Sequence, residues 1–447
     1  MLKNLSGRRF GILGIGKSGI GAAGLIKRLG GTALISDIKS REKLGDAVAK
    51  LEADGIEVET GEHTRLVNEF FDTIVVSPGT ILKPEWLQAW QKRGTVLWSE
   101  IELASQCFDG KWIGVTGSNG KTTTVTLLTA MLNASSIRAQ AVGNIGTAWS
   151  ECLPSRDVDV FVVEVSSFQM EQTHSARPDI CVILNILKNH LDRHGDIETY
   201  GNLKLKLATN QNSRDFFVYN SDDVFLVNRR RHVQSVSISF GTSDSAHLLV
   251  KDGTVTRIEG GESVQLLQEA EWSLEGKHNL LNAAAAAAAA ICAGASDAAI
   301  HSALVNAKPV EHRIEFVREV NSVRYVNDSK STNLTATLTA IEAVRGTITL
   351  LFGGRPKHES FAPLSQLLGN QLEHLIVFGE ARAKVNSELV QNERIHYCEN
   401  LDESFRLANE LARSGQSILL SPGCASYDQY SNYEQRGEHF KTLVKQL

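Results

Sequence analysis

The sequence predicts an α/β protein of three domains: a Rossmann-like N-terminal domain, a central P-loop-type ATPase domain and a Rossmann-like C-terminal domain. Three observations carry that prediction. Two glycine-rich turns, at 14–19 and 117–120, each join a short apolar run to a helical pattern. The last third of the chain alternates apolar runs with helical patterns, the rhythm of a doubly wound sheet. The length, 447 residues, exceeds one core, since roughly 100–200 residues make a domain. The boundaries are expected at 1–99, 100–309 and 310–447. Composition narrows the function. Hydrophobic content is 42%, ordinary for a soluble chain, and 46 basic against 51 acidic residues leave a net charge of −5. That balance offers no polyanion-binding surface, so nucleic acid is not an expected partner. No apolar run is long enough to span a bilayer. The six cysteines are scattered without a C-x-x-C pair and read as buried small hydrophobes in a reducing compartment. The first residues are polar and lack a signal pattern. The expectation is a cytoplasmic, monomeric enzyme acting on small molecules.

In the first domain, Arg9 to Leu13 reads as a strand, followed by Gly14-Ile15-Gly16-Lys17-Ser18-Gly19 and a helix to Leu29. Thr32 to Ser36 is a second strand ending at Asp37. This is G-x-G-x-x-G with an acidic residue about 20 positions on, a nucleotide-binding fingerprint that alone would suggest a dinucleotide. A third strand, Thr73 to Val76, runs into the Ser77-Pro78-Gly79 turn, where ligands collect in open sheets.

The second domain opens with a helix around Glu100 to Ser105. The strand Trp112 to Thr116 then runs into Gly117-Ser118-Asn119-Gly120, and Lys121, Thr122 and Thr123 start a helix. Backbone N–H groups and a helix N-terminus make such a turn an anion cradle. Lys121 would reach the β/γ-phosphates, and the Thr122 hydroxyl a Mg²⁺ ion. Val115 replaces the first glycine of the strict pattern, leaving the shortened form T-G-x-N-G-K-T-T. The strands 159–165 and 179–186 end near Glu164 and near 189–195, Asn-His-Leu-Asp-Arg-His-Gly. A carboxylate on a buried strand is costly unless paired or metal-bound. Glu164 either binds metal or caps the following turn, and His190, with Asp192 and His194 nearby, suggests a site. Lys204 and Lys206 lie on a helix from Tyr200 to Thr209, where a solvated face is the ordinary expectation. Strands at 216–219 and 235–240 precede a hairpin over 247–258. Asn279 and Asn282 open a helix with eight successive alanines, Ala283 to Ala290, and alanine favours tight helix packing. The two asparagines would cap that helix or meet a purine.

Lys308-Pro309 reads as a hinge. Beyond it, a strand to Val326 leads to 327–333, Asn-Asp-Ser-Lys-Ser-Thr-Asn. A strand to Phe352 leads to Gly353-Gly354-Arg355-Pro356-Lys357, one over 375–378 to Gly379-Glu380, and one over 417–420 to 421–426, Ser-Pro-Gly-Cys-Ala-Ser. Polar loops thus follow strand after strand, where an open sheet binds ligand.

Together the motifs TGSNGKTT, EVSSFQ, NHLDRHG with a downstream lysine, HNxxNA, HRxE, NDSKSTN and SPGCASYDQYSNYEQRG resemble those of the Mur ligases, ATP-dependent amide ligases of peptidoglycan precursor synthesis. They occur in the family's order and cover all three domains. Asn119 stands where the alanine-adding branch usually has His, and the Asn-Pro-Arg of the diaminopimelate- or lysine-adding branch does not occur. The resemblance implies ATP- and Mg²⁺-dependent ligation of D-glutamate to UDP-N-acetylmuramoyl-L-alanine through an acyl phosphate, serving cell-wall biogenesis, cell shape and cell division.

It also assigns residues. Gly14, Ile15, Lys17, Ser18, Asp37, Ser77, Pro78 and Gly79 become contacts to the uridine diphosphate substrate. Asn144 in the turn 143–146, Ser166 and Gln169 hold its diphosphate and muramoyl portion. Gly117, Ser118, Asn119, Gly120, Lys121, Thr122 and Thr123 hold the ATP phosphates. Asn279 and Asn282 meet adenine, and Arg313 and Asp328 the phosphates and ribose. Lys330, Thr332, Lys357, Ser426, Tyr427 and Tyr433 grip the amino acid. Lys121, Glu164, His190 and Lys204 are catalytic. Thr122, Glu164, His190 and Lys204, the last as a carbamate, are metal ligands. Glu311 replaces a usual proline, and Arg355 and His358 add positive charge to the amino-acid loop. Two readings stay open beside this one: the same ligation with L-glutamate, and a dinucleotide-dependent oxidoreductase or regulatory protein using the first turn. A folylpolyglutamate synthase of the same fold fits less well, given the uridine-type first domain and SPGCAS.

Overall fold

In the computed structural model the described residues are 4–447, without Ser273, Glu275, Pro309, His358 and Gln391 and without the side chain of Asp192. The Pro309 hinge, His358 and the Asp192 carboxylate therefore lie outside the described residues. The chain forms two compact units, one of residues up to 268 together with 281–304, the other of 269–280 together with 305–447.

The first unit contains two sheets. Strands β1 (Arg9–Leu13), β2 (Thr32–Asp37), β3 (Glu57–Thr60), β4 (Thr73–Val76) and β5 (Val96–Ser99) form a sheet in the order β3-β2-β1-β4-β5. Every pairing in it is parallel. The order reverses between β1 and β4, so the Gly14 and Ser77 turns sit side by side at the switch point, the ligand edge of such folds. The sequence showed β1, β2 and β4 but not β3 or β5. The strand β3 is Glu-Val-Glu-Thr, too polar to register as a buried run.

The second sheet has nine strands: β6 (Lys111–Thr116), β7 (Ala139–Gly143), β8 (Val160–Glu164), β9 (Ile180–Ile183), β10 (Phe216–Asn220), β11 (Val236–Gly241), β12 (Leu248–Lys251), β13 (Thr254–Glu259) and β14 (Glu262–Gln268). Their order is β14-β13-β12-β11-β10-β9-β6-β8-β7. Pairing is parallel from β7 to β12 and antiparallel through β13 and β14. The expected hairpin is β12–β13, and β14 extends it. Because β6 lies between β8 and β9, their three C-terminal ends share one edge. The helix Lys277–Cys292 carries the alanine run, with every alanine at most 1% exposed. That is the close packing its small side chains permit.

The second unit holds β15 (Glu315–Val320), β16 (Val323–Asn327), β17 (Ile348–Gly353), β18 (Leu372–Phe378), β19 (Ile395–Cys398) and β20 (Ser417–Gly423), in the order β15-β16-β20-β17-β18-β19. Only β15 is antiparallel. Apolar clusters cover both faces. The loops after β16, β20 and β17 are neighbours because those strands are. No helix among the described residues is long and apolar enough to cross a membrane.

Candidate functional site

The turn after β6 is built by two glycines. Gly117 has φ +147°, and a Cβ there would lie 2.9 Å from the Leu184 Cβ. Gly120 has φ +85°, and its Cβ would lie 2.2 Å from Asn282 Oδ1. The loop is pinned to the chain beyond β9: Ser118 N–H donates to the Asn185 carbonyl at 3.0 Å and Asn119 N–H to Asn185 Oδ1 at 2.9 Å. The helix Lys121–Ala134 begins at Gly120 without a side-chain cap, and the N-terminus of a helix favours an anion. The Lys121 ammonium folds onto the loop, donating to the Gly117 and Ser118 carbonyls at 2.8 Å each. Gly120→Ala is expected to cost about 1–3 kcal/mol of stability through strain and collision. It should also weaken nucleotide binding at least about tenfold by displacing the N–H groups; calorimetric ATP titration checks both expectations against melting data.

Glu164 ends β8 and is 2% exposed. Its Oε2 accepts from Thr122 Oγ1 at 2.9 Å and its Oε1 from Asn144 Nδ2 at 2.9 Å. It does not cap the next helix. Ser166 does, in a reciprocal capping box with Gln169 over Ser167–Met170. The structure thus engages Ser166 and Gln169 with each other, and brings Asn144 onto the carboxylate. His190 sits at φ +53° ahead of the helix Leu191–His194, its ring edge-on to Phe168 at 4.8 Å. His194 is buried between Ser167 Oγ (3.1 Å), Glu171 (3.7 Å) and the Tyr200 ring, the setting of a packed histidine. Arg193 pairs with Glu171 at 2.7 Å and donates to the Thr80 carbonyl at 2.9 Å. It thereby ties the His190 segment to the turn after β4.

Lys204 corrects an expectation drawn from helix periodicity. The helix Ile197–Thr209, capped by Asp196, does not hold it on a solvated face: Lys204 is 1% exposed. Its Nζ lies 3.4 Å from Thr116 Oγ1 and 4.7 Å from the Tyr200 ring centroid. Among the described residues no carboxylate forms an ion pair with it. Burial, reinforced by Lys121 and opposed by Glu164, holds its pKa well below the usual lysine range. Lys206, half-buried, reaches the Met170 carbonyl at 3.3 Å.

On the first sheet, Gly14 takes φ +102° and Ser77 Oγ donates to its carbonyl at 3.2 Å. Asp37 accepts from Ile15 N–H at 2.8 Å and Lys39 N–H at 2.9 Å. Lys17 Nζ lies 3.4 Å from the Gly146 carbonyl, which brings the first sheet's glycine turn to the 143–146 turn of the second. The turn Ser77-Pro78-Gly79 is half-exposed, and Ser18 lies on the helix Lys17–Arg28.

In the second unit, Asp328 follows β16 and is buried. Its Oδ2 accepts from Ser421 Oγ at 2.7 Å and its Oδ1 from Ile314 N–H at 3.2 Å. Arg313 lies within its electrostatic reach, and the Arg313 Nε is buried with no hydrogen-bond partner among the described residues. Lys330 Nζ sits 5.6 Å from the Tyr433 ring centroid, Thr332 is half-buried, Ser426 is buried, and Lys357 and Tyr427 are exposed. Arg355 forms a two-pronged pair with Glu380 at 2.9 and 2.8 Å, which neutralises the cation that the sequence places in the amino-acid loop. Sequence reasoning missed Arg436, whose buried guanidinium joins the loops after β16, β17 and β20. Its signal was present in the Glu-Gln-Arg-Gly of the last motif. The tightest group of potential metal ligands among the described residues is Glu311, His312 and Glu438. Lys441 already pairs with both glutamates there, so the group reads as an ion-pair cluster.

Burial pushes the Asp328 carboxyl up to about 6, from an ordinary 3.8, against its hydrogen bonds and Arg313. An acid whose pKa is higher folded than unfolded contributes stability that is full below the unfolded value and lost as pH rises through the folded one. Asp328→Asn removes that dependence. From pH 4 to 7 the variant is expected to gain on wild type by on the order of 2 kcal/mol in denaturant titrations; a difference flat with pH would show Asp328 titrating as an ordinary carboxylate.

Two family models match the chain, the Mur ligase middle domain over residues 115–290 and the Mur ligase glutamate ligase domain over 312–424. A UDP-N-acetylmuramoylalanine–D-glutamate ligase of Koribacter versatilis is 36% identical over 99% of this chain and 98% of its own. The protein of the same name from Acidobacterium capsulatum is 38% identical, over 98% and 96%. Among solved structures, the MurF ligase of Thermotoga maritima in complex with ADP aligns over 93% of this chain and 95% of its own, with TM-score 0.62 and 18% identity. The UDP-N-acetylmuramate–alanine ligase of the same organism aligns over 98% and 99%, with TM-score 0.59 and 16% identity. These two likenesses are of fold.

Proposed function

The chain belongs to the Mur ligase family and is an ATP-dependent amide-bond-forming ligase, and on that premise we propose that it joins D-glutamate to the free carboxylate of UDP-N-acetylmuramoyl-L-alanine in peptidoglycan precursor synthesis. The observation that supports this most is one sheet edge. The ends of β6, β8 and β9 gather an anion cradle, a buried carboxylate and an imidazole-bearing segment, and Arg193 and Lys17 connect that edge to the nucleotide-type turns of the first sheet. Full-length relatives of 33–38% identity carry this activity in their names.

A carboxylate is a poor electrophile, because its leaving group is oxide. Transfer of the ATP γ-phosphoryl group to the acceptor carboxylate forms a C–O–P link and releases ADP, giving an acyl phosphate. The amine of glutamate then attacks the acyl carbon, losing a proton as the C–N bond forms and phosphate departs. For the first step, the N–H groups after Gly117 and the Lys121 ammonium hold and neutralise the phosphates, and such electrostatic positioning supplies most of the rate in phosphoryl transfer. The donor set of Thr122 hydroxyl, Glu164 carboxylate, His190 imidazole and carbamylated Lys204 suits a hard divalent cation. Mg²⁺ held there would draw charge from the transferring phosphoryl oxygens. Glu164 is oriented for that by its bonds to Thr122 and Asn144. In the second unit, the unsatisfied Arg313 Nε is a donor that a phosphate oxygen would complete. Asn279 and Asn282 take adenine; Asp37 and the Ser77 turn take uridine; Lys330, Thr332, Lys357, Ser426, Tyr427 and Tyr433 take the amino acid. The enzyme is expected to work as a monomer in the cytoplasm.

The test is the mass of the product. Incubated with ATP, Mg²⁺ and UDP-N-acetylmuramoyl-L-alanine, the protein should add one glutamyl residue from D-glutamate and none from L-glutamate, releasing equal ADP and phosphate. Product from the L-enantiomer alone would reverse the stereochemical assignment. Tight NADH binding, undisplaced by the UDP substrate, would overturn the reading of the first sheet.

A further inference from the structure

We infer that Arg436 is a positioning residue that sets the amino-acid subsite, an inference that rests on the ligase reading above. Arg436 belongs to the helix Tyr433–Lys445 and is 0% exposed. All five of its N–H donors find acceptors. Nε donates to Ser329 Oγ at 3.1 Å, Nη1 to the Gly353 and Cys424 carbonyls at 3.3 and 3.2 Å, and Nη2 to the Ser329 and Cys424 carbonyls at 2.9 and 3.2 Å.

The acceptors explain the role. Ser329 immediately precedes Lys330, Gly353 opens the loop to Lys357, and Cys424 lies two residues before Ser426. Ser329 Oγ in turn donates to the Tyr433 carbonyl at 2.8 Å, and Tyr433 lies one helical turn before Arg436. One planar group thus fixes the spacing of three strand-end loops and a helix start, and each of these carries a residue assigned to the amino acid. The loops themselves are shaped to admit it: Gly354 has φ +118°, and a Cβ there would stand 3.0 Å from Nη1.

A merely space-filling role does not account for this choice of residue. Every hydrogen-bond acceptor is neutral, and a buried cation with no direct ion pair among the described residues is costly. An apolar side chain would fill the volume without that cost. What arginine alone adds is a rigid fork of five directed donors, together with a positive charge, partly offset by Asp428 and Asp328 within electrostatic reach, that an amino acid with two carboxylates would feel through a low-dielectric interior.

The test separates the amino acid from the other substrates. Arg436→Lys, Arg436→Gln and Ser329→Ala are made in the full chain, and KM is measured for glutamate, for the UDP acceptor and for ATP. Arg436→Lys should raise the glutamate KM about tenfold, Arg436→Gln further, and Ser329→Ala about threefold, with the acceptor KM within about twofold of wild type. Lysine should restore part of what glutamine loses. A common rise in all three KM values, or lower thermal stability with an unchanged glutamate KM, would overturn the inference. If Arg436→Gln does not fold, Arg436→Lys and Ser329→Ala decide by the same split. If wild type proves to join a different amino acid, the ligase reading fails on its substrate, while the split measured with that amino acid still decides the role of Arg436.

Discussion

Replacing Lys121 with alanine is expected to lower kcat/KM by about 10³-fold or more, with the melting temperature nearly unchanged. The reason for the separation lies in what Lys121 touches. Its ammonium donates to the carbonyls of Gly117 and Ser118 in its own loop, while the loop's shape is held by Gly117, Gly120 and the Asn185 contacts. The cradle therefore survives the substitution and loses only its mobile charge. ATP binding should weaken less than turnover, because the N–H groups still contact the ground-state phosphates while the charge developing during transfer goes unmet. Lys121→Arg keeps the charge but spreads it over a planar fork of different reach, so it should recover little. Phosphate release measured with all three substrates, beside a thermal melt, checks this. Near-normal release from the alanine variant would place the reacting phosphates elsewhere than behind Gly120.

The parts of the molecule legible in the sequence are those governed by local chemistry. The Gly117–Gly120 turn declares itself because its backbone needs positive φ at both ends and a helix must follow. The strands β1, β4, β6 and β8 are continuous apolar runs, as strands buried on both faces must be. The short edge strands escaped because they bury little: β3 carries two glutamates, and β19 is only four residues long. The burial of Lys204 was not legible in helix periodicity, although the resemblance of motifs placed it among the site residues. Helix periodicity gives the relative faces of Lys204 and Lys206, but only the tertiary packing of Tyr200 and Thr116 decides which face is inside. Arg436 was missed for a related reason. Four of its five hydrogen bonds go to backbone carbonyls of residues 329, 353 and 424, which a side-chain motif does not specify. Conversely, Ser166 and Gln169 form a textual motif with two physical readings, and the capping box accounts for their local geometry.

Lys204→Ala is expected to reduce turnover by about 10²-fold or more, and small carboxylates such as acetate or formate in the buffer should restore part of it. The expectation starts from a buried amine that pairs with no carboxylate among the described residues and lies near Thr116 Oγ1 and the Tyr200 ring. Burial in that setting favours the uncharged amine, and an uncharged amine is the form that attacks carbon dioxide. In that reaction the N–C bond would form, one proton would leave, and the side chain would become an anion with two acceptor oxygens within electrostatic reach of Glu164 and Lys121. That change would turn the Lys121 interaction from repulsive to attractive and the Glu164 interaction from attractive to repulsive, so the two anions would need a cation between them. Truncation to alanine leaves a cavity of about the right chemistry for a free carboxylate, whereas Lys204→Arg keeps a permanent cation there and should not respond to acetate. A carbamate carbon signal in wild type supplied with ¹³C-bicarbonate, absent from both variants, would tie the rescue to the modification. Full activity of the alanine variant without additive would instead show that Lys204 serves packing alone.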